Sequence, residues 1–305
     1  MEKPVPSDNE VLVKIYSASI NALDWHLLEG KPFIARMGSG LLTPKQKILG
    51  VDIAGRVEAV GGRVVQFHPG DEVFGCAHWG FAEYACARED RLASKPTDVT
   101  FEESAAVPVA AITALQALRK GGVESGQRVL INGASGGVGT FAVQLAKSFG
   151  AEVTAVTSTK NMDSARSMGA DYVVDYTKED FTKTSARYDL ILGVNGYHSI
   201  LSYRRALRPN GTYVFVGGSR LMTQFFQSML LDPLISRIGG KKMSSMGFAK
   251  LNREDLVLLQ KLLEAGRIRP AIDRRYSLNE TAEAIRYLEA GHARGKVVIT
   301  VAQNN

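Results

Sequence analysis

Five short apolar runs between residues 128 and 217 leave the chain little freedom of fold. They read RVLIN (Arg128–Asn132), EVTAV (Glu152–Val156), YVVD (Tyr172–Asp175), DLILGV (Asp189–Val194) and TYVFVG (Thr212–Gly217), with helical segments between them. Strands this apolar are buried on both faces, and their alternation with helices predicts an α/β fold with a doubly wound parallel sheet. A sixth strand is expected near Lys241–Met246. Directly behind the first run stands GASGGVG, Gly133–Gly139, opening a helix. A helix start exposes unpaired N–H groups and the positive end of the helix dipole, so it attracts a pyrophosphate. Gly136 lets the backbone approach the phosphates and Gly139 lets the helix pack close to the strand, although Ala134 takes the first position of the usual G-x-G-x-x-G. Ser135, Gly136, Gly137, Val138 and Gly139 are the candidate pyrophosphate contacts.

The end of the second run discriminates between cofactors. An NAD site places a carboxylate there for the ribose hydroxyls, whereas this chain offers Thr157, Ser158, Thr159 and Lys160. Hydroxyls and an ammonium suit a 2′-phosphate, which a carboxylate would repel, so the expected cofactor is NADPH.

Before residue 100 the rhythm is different. EVLVKIYSASI (Glu10–Ile20) alternates apolar Val11, Val13 and Ile15 with polar neighbours, as a half-buried strand should. ILGVDIAGRVEAVG (Ile48–Gly61), GDEVFG (Gly70–Gly75) and GFAEYACA (Gly80–Ala87) continue in short pieces punctuated by glycine, which predicts a barrel or sandwich. Thr100 and Glu103 form a capping-box pattern at the change of rhythm. In the tail, Asn252 with Asp255 and Ser277 with Glu280 mark two helix starts before a last strand, Gly295–Val301. This tail is expected to return to the β domain.

Composition excludes several classes. A chain of 305 residues, 45% hydrophobic and 22% charged, can bury a large core in two domains. Its longest uncharged stretch, Ser104–Leu118, is too short for a bilayer and contains Pro108, so no membrane partner is expected. No signal-peptide pattern opens the chain, and two cysteines make neither a disulfide framework nor a four-cysteine zinc site; a cytoplasmic protein is the expectation. The net charge of +6 is scattered, so no nucleic-acid partner is expected either.

SINALDW (Ser19–Trp25), GVDIAGRVEAVG (Gly50–Gly61), GDEVFG, AAVPVAAITALQAL (Ala105–Leu118), GASGGVG and RGKVVI (Arg294–Ile299) together resemble the medium-chain dehydrogenase/reductase superfamily, in its zinc-free quinone oxidoreductase branch. The resemblance covers nearly the whole chain. It implies a GroES-like domain over residues 1–103, a Rossmann domain over 104–250, and a return to the GroES-like domain over 251–305, with the active site in the cleft between them and a homodimer as the assembly. Zinc alcohol dehydrogenases of this superfamily hold their metal at positions that here look like Asn21, Val51 and Val109. Valine carries no donor and an amide is a weak zinc ligand, so no metal is expected. The five histidines show no metal-like spacing; His26 adjoins Asp24 and Trp25. Relatives also carry a leading β-hairpin for which Met1 leaves no room, which suggests a truncated or misassigned start.

By the same resemblance, Asn21 and Asp24 face the nicotinamide end as catalytic candidates and Thr113 helps to hold the nicotinamide ring. Tyr176 matches a position near the adenosine phosphate, and Lys296 of RGKVVI counts with the cofactor contacts. Val194 and Asn195, with Val216, Gly217 and Gly218, end the fourth and fifth strands and should border the nicotinamide, since ligands sit outside the carboxyl ends of such strands. Without a metal the chemistry narrows. Reducing a simple ketone creates a strongly basic alkoxide, whereas a quinone or enone yields a phenolate or enolate that takes its proton from water. The expected activity is NADPH-dependent reduction of a quinone or α,β-unsaturated carbonyl. An enoyl-thioester reductase and a crystallin-like cofactor-binding protein are the alternatives. Which acceptor is used depends on the loops Gly30–Lys47 and Arg220–Gly240, which periodicity does not fold.

Overall fold

The computed structural model describes residues 2–29, 48–217 and 240–301. The chain divides into two compact units, Met1–Ile112 with Lys250–Asn305, and Thr113–Ala249. Numbered along the chain, the first unit holds strands β1 (Glu10–Ile20), β2 (Asp52–Val60), β3 (Glu72–Cys76), β4 (Tyr84–Arg88) and β5 (Leu92–Ser94). The second holds β6 (Arg128–Asn132), β7 (Glu152–Thr157), β8 (Tyr172–Asp175), β9 (Tyr188–Gly193), β10 (Leu207–Phe215) and β11 (Lys242–Ser245). The tail returns β12 (Ile272–Ser277) and β13 (Lys296–Thr300) to the first unit.

In the first unit the sheet order is β12-β13-β1-β2-β3-β5, with β4 also paired to β1. The register of β1 against β2 slips between Ile15 and Ser17, so Tyr16 is the extra residue of a bulge. A one-residue slip reverses the faces of a strand. Val11, Val13 and Ile15 pack in a core with Ile53, Val73 and Leu92, and past the bulge the parity changes, so that Ala18 and Ile20 rather than the serines pack with Ala284, Val297 and Ile299. Serines 17 and 19 fall on the positions left over, and Ser19 points its hydroxyl to Asp52. Two expected strands are shorter than their motifs. Gly50 has φ +98°, which delays β2 to Asp52, and Gly80 and Phe81 donate to Gly50 and Leu49 instead of entering β4. Strand β12 was not expected; it pairs parallel to β13 between the two tail helices, Arg253–Glu264 and Thr281–Glu289.

In the second unit six parallel strands run in the order β11-β10-β9-β6-β7-β8, the doubly wound sheet anticipated from the apolar runs. The chain moves outward from β6 through β8, then returns to lay β9 on the other side of β6. That reversal is the topological switch point, with Asn132 and Gly193 side by side at its carboxyl edge. The helix Gly137–Ser148 covers the sheet with Phe141, Ala142, Val143, Leu145 and Ala146 buried. Among the described residues no helix is long and apolar enough to cross a membrane.

Candidate functional site

The carboxyl edge of the parallel sheet is assembled from the glycine turn outward. Gly133 turns the chain at φ +94°, and the amides of Gly133 and Ala134 donate to Val156 O at 3.2 and 3.1 Å, tying the turn to the end of β7. A Cβ on Gly139 would stand 2.0 Å from the Gly133 carbonyl oxygen, so only glycine lets the helix approach so closely. At Gly136 the sole atom of the described residues within 4 Å of an added Cβ is the same carbonyl, at 3.9 Å. Gly136 caps the helix without a side-chain bond, and no acid lies in the first turn. Ser135, Gly136, Gly137 and Val138 are half-buried around this open, positively polarised helix start.

Next to it the ends of β7 and β8 meet. Tyr176 donates its amide to Thr157 O at 3.0 Å and leaves its ring half exposed, 6.1 Å from that of Tyr197. Thr157 is buried, and among the described residues its hydroxyl has no hydrogen-bond partner. Ser158 accepts from Asn161 Nδ2 at 3.2 Å, and Lys160 is exposed. The structure thus brings Thr157, Ser158 and Tyr176 together. It also adds a carboxylate that sequence reading passed over: Asp175 accepts from the Thr159 hydroxyl and from Thr177 Oγ1 and N, and these donors hold its pKa down to about 2.

On the other side of β6, Asn132 O accepts from Val194 N and Asn195 N, both at 3.0 Å. Val216 N donates to Gly193 O and Gly196 N to Gly217 O, again at 3.0 Å, so the ends of β9 and β10 form one laced rim. Gly218 lies outside the described residues. Below the rim Asn132 Nδ2 donates to Tyr203 Oη at 2.7 Å, and the Tyr203 ring stacks on Tyr213 at 4.3 Å; burial raises the pKa of both phenols. Thr113 is half-buried on the helix Pro108–Gly121.

The first unit holds a second constellation. Asn21 and Asp24 flank the start of the helix Ala22–Glu29, and Asp24 Oδ2 accepts from Asn21 N at 2.8 Å while its Oδ1 accepts from Gly50 N at 3.1 Å. Asp24 has no exposed surface; burial pushes its pKa up to about 6, the nearby Asp52 carboxylate adds to this, and the two amides and Lys296 oppose it. His26 lies on the same helix with its ring 4.3 Å from Trp25. Asp52 is the centre of the cluster. Its Oδ2 accepts from Ser19 Oγ (3.0 Å), Asn21 Nδ2 (2.9 Å) and Lys296 Nζ (3.3 Å), and its Oδ1 accepts from Val109 N (3.0 Å). Residues 21, 52 and 109 therefore converge on one buried carboxylate.

Lys296 corrects an expectation. It was counted with the cofactor contacts, but it is 2% exposed and donates to Ile20 O (3.2 Å), Asn21 Oδ1 (2.6 Å) and Asp52, so its three hydrogens are all spent within the cluster. The physical reason is charge: a carboxylate as buried as Asp52 needs a cation, and removing one partner of such a pair costs roughly 3–5 kcal/mol. Asp52, Ser19, Asn132 and Tyr203 were missed from the sequence. The available signal was a charged or amide residue at the edge of an apolar strand, as in GVDIAG and RVLIN.

A GroES-like β unit and a doubly wound sheet with an open glycine turn in one chain define a class, the nicotinamide-dependent dehydrogenases and reductases. Comparison with known proteins agrees. Residues 7–115 match the family model "Alcohol dehydrogenase GroES-like domain" and residues 168–299 the model "Zinc-binding dehydrogenase". The chain is 34% identical to 2-methylene-furan-3-one reductase of Solanum lycopersicum, over 97% of this chain and 73% of that protein. It is also 34% identical to the mitochondrial NAD(P)H oxidoreductase RTN4IP1 of Mus musculus, over 96% of this chain and 82% of that one. The solved quinone oxidoreductase from Coxiella burnetii superposes with a TM-score of 0.86 at 31% identity, covering 99% of this chain and 93% of that one. The chain belongs to the medium-chain dehydrogenase/reductase superfamily, quinone-oxidoreductase-like, as its motifs indicated.

Proposed function

We propose that the chain is a zinc-independent reductase that uses NADPH to reduce quinones or α,β-unsaturated carbonyls. The observation that carries this reading is the fate of the ligand positions of zinc relatives. Val51 and Val109 have no donor side chain, and both polar atoms of the Asn21 amide are taken, Oδ1 by Lys296 and Nδ2 by Asp52. That set does not fit zinc. A nicotinamide nucleotide does fit the open helix start at Gly136, and when bound it supplies a hydride. In this reading Ser135, Gly137, Val138 and Gly139 complete the pyrophosphate cradle, and Ser158 and Lys160 hold the 2′-phosphate beside Tyr176. Thr157, Val194, Asn195, Val216 and Gly217 line the remainder, Thr113 holds the nicotinamide, and Asn21 and Asp24 serve the acceptor. The Asp175 carboxylate does not oppose the phosphate at full strength, because hydroxyl donors and Lys178 at 3.6 Å surround it. The names of the relatives favour a conjugated acceptor. Cytoplasmic location and a homodimer complete the proposal, to be read by cell fractionation and sedimentation.

Steady-state turnover across a panel of quinones, enones and simple ketones, with NADPH and with NADH, tests it. Conjugated acceptors should be reduced and simple ketones should not. Each charge-assisted bond to the 2′-phosphate is worth roughly 1.5–3 kcal/mol, so NADPH should be preferred by about tenfold to a thousandfold in kcat/KM, less at high salt. Ser158→Asp should erode that preference by repelling the phosphate. Equal use of both nucleotides by the parent refutes the NADPH assignment, and binding of NADPH without any oxidation refutes the enzyme.

A further inference from the structure

The turn after β7 and the end of β8 lie wholly within the second unit, and the buried carboxylate of Asp175 joins them. Its Oδ2 accepts from the Thr159 hydroxyl, and its Oδ1 accepts from Thr177 Oγ1 at 2.7 Å and Thr177 N at 3.0 Å. The Thr159 hydroxyl first, and Thr177 after it, hold the pKa of Asp175 low, so the group is ionised at neutral pH. An ionised carboxylate only accepts, so both hydroxyl hydrogens point at it. Thr159 is exposed, yet its Oγ1 has only lone pairs left to offer. Ser158 beside it has the opposite polarity. Its Oγ accepts from Asn161 Nδ2 at 3.2 Å, and among the described residues nothing takes its own hydrogen.

In a βαβ unit that seats a pyrophosphate on its first turn, the adenosine ribose lies beyond the carboxyl end of the second strand. Here that strand is β7, and Ser158 and Thr159 follow it directly. A ribose 2′-hydroxyl can donate a hydrogen, whereas a 2′-phosphate dianion only accepts. A hydroxyl that offers lone pairs at this place therefore favours NADH and opposes NADPH.

We infer that Asp175 is a positioning residue for cofactor choice: by holding the Thr159 hydroxyl hydrogen it makes Thr159 an acceptor for the ribose 2′-hydroxyl, and so limits the preference for NADPH that Ser158 and Lys160 create. The inference rests on the proposed nucleotide site. Asp175 does not touch the nucleotide. It replaces, one hydroxyl removed, the carboxylate that is absent after β7.

Asp175→Asn keeps the shape of the side chain and reverses the polarity of the contact. The backbone N–H of Thr177 only donates, so it holds the new Oδ1 on its own side and leaves Nδ2 facing Thr159. Thr159 Oγ1 then accepts, and its hydrogen is released. Thr177 Oγ1, 3.3 Å away, is a weaker acceptor for that hydrogen than a phosphate oxygen.

Fluorescence titration with NADPH and with NADH gives the Kd of each for the parent, Asp175→Asn, Thr159→Ala and the double variant, independently of turnover. Asp175→Asn should tighten NADPH by about tenfold and weaken NADH by about twofold to tenfold. Thr159→Ala should raise the preference for NADPH in the parent and lower it in the Asp175→Asn background, a reversal of sign that a merely structural role does not produce. Asp175→Asn that weakens both nucleotides alike, or Thr159→Ala with the same sign in both backgrounds, overturns the inference. Should Asp175→Asn fail to fold, Thr159→Ala at its exposed position decides alone: a raised preference for NADPH supports the inference, and an unchanged or lowered one overturns it. A parent with equal affinity for both nucleotides overturns the NADPH assignment, whereas a preference that still moves toward NADPH in Asp175→Asn supports the role of Asp175. A parent that binds neither nucleotide overturns the nucleotide site and this inference with it.

Discussion

Asp24 is a carboxylate with no exposed surface whose pKa is displaced upward from 3.8 to about 6, by burial first and by Asp52 second. The sign of its effect on stability follows. Between those two values the folded chain binds a proton that the unfolded chain has released, so the contribution of Asp24 to stability is greatest below pH 4 and falls as pH rises to about 6. Above that it is flat. The displacement corresponds to roughly 3 kcal/mol. Urea denaturation of the parent and of Asp24→Asn between pH 4 and 7 measures it: the stability of the parent relative to the variant should fall by about that amount over the window. A difference that stays constant with pH shows that Asp24 titrates as an ordinary carboxyl.

The turn from β6 into its helix divides its glycines between two tasks, packing and approach. Gly139 is needed by the fold, since a Cβ there meets backbone at 2.0 Å; Gly139→Ala should cost roughly 1–3 kcal/mol through overpacking. Gly136 has φ −82° and ψ 173°, extended backbone that valine adopts readily, and among the described residues nothing crowds its Cβ position. Gly136→Val should therefore melt like the parent and lose most of its NADPH affinity, because the branched side chain occupies the space through which the phosphates reach the helix start. Thermal melts and fluorescence titration with NADPH read the two effects separately. A folded Gly136→Val chain that binds as tightly as the parent places the cradle elsewhere.

At the scale of the whole molecule, the chain carries a buried ionic cluster in one unit and an anion-attracting sheet edge in the other. No group of three or more His, Cys, Asp and Glu able to hold a metal occurs among the described residues, and the Asn21 amide is bonded to Asp52 and Lys296, themselves joined at 3.3 Å. Exhaustive dialysis against a strong chelator should leave both the melting temperature and NADPH oxidation unchanged. Activity that disappears on dialysis and returns with zinc overturns the zinc-independent reading.

The sequence by itself determined whatever depends on near neighbours. The apolar runs around Leu130, Val156, Ile191 and Val214 are strands of a parallel sheet because a two-sided apolar run has nowhere else to be buried. Thr100 with Glu103 and Ser277 with Glu280 form the capping boxes their spacing announced, since each bond spans three residues. Tertiary structure alone decided the rest. The strand Ile272–Ser277 is polar through Asp273, Arg274 and Arg275, and only its pairing with β13 makes it a strand. The bulge at Tyr16 changes faces in the middle of an unbroken alternation. Lys296 reads as a cofactor contact until it is seen against Asp52, 244 residues away in the chain. A buried charge is settled by its partner, and the partner of a residue so distant in sequence exists only once the sheet has closed around both.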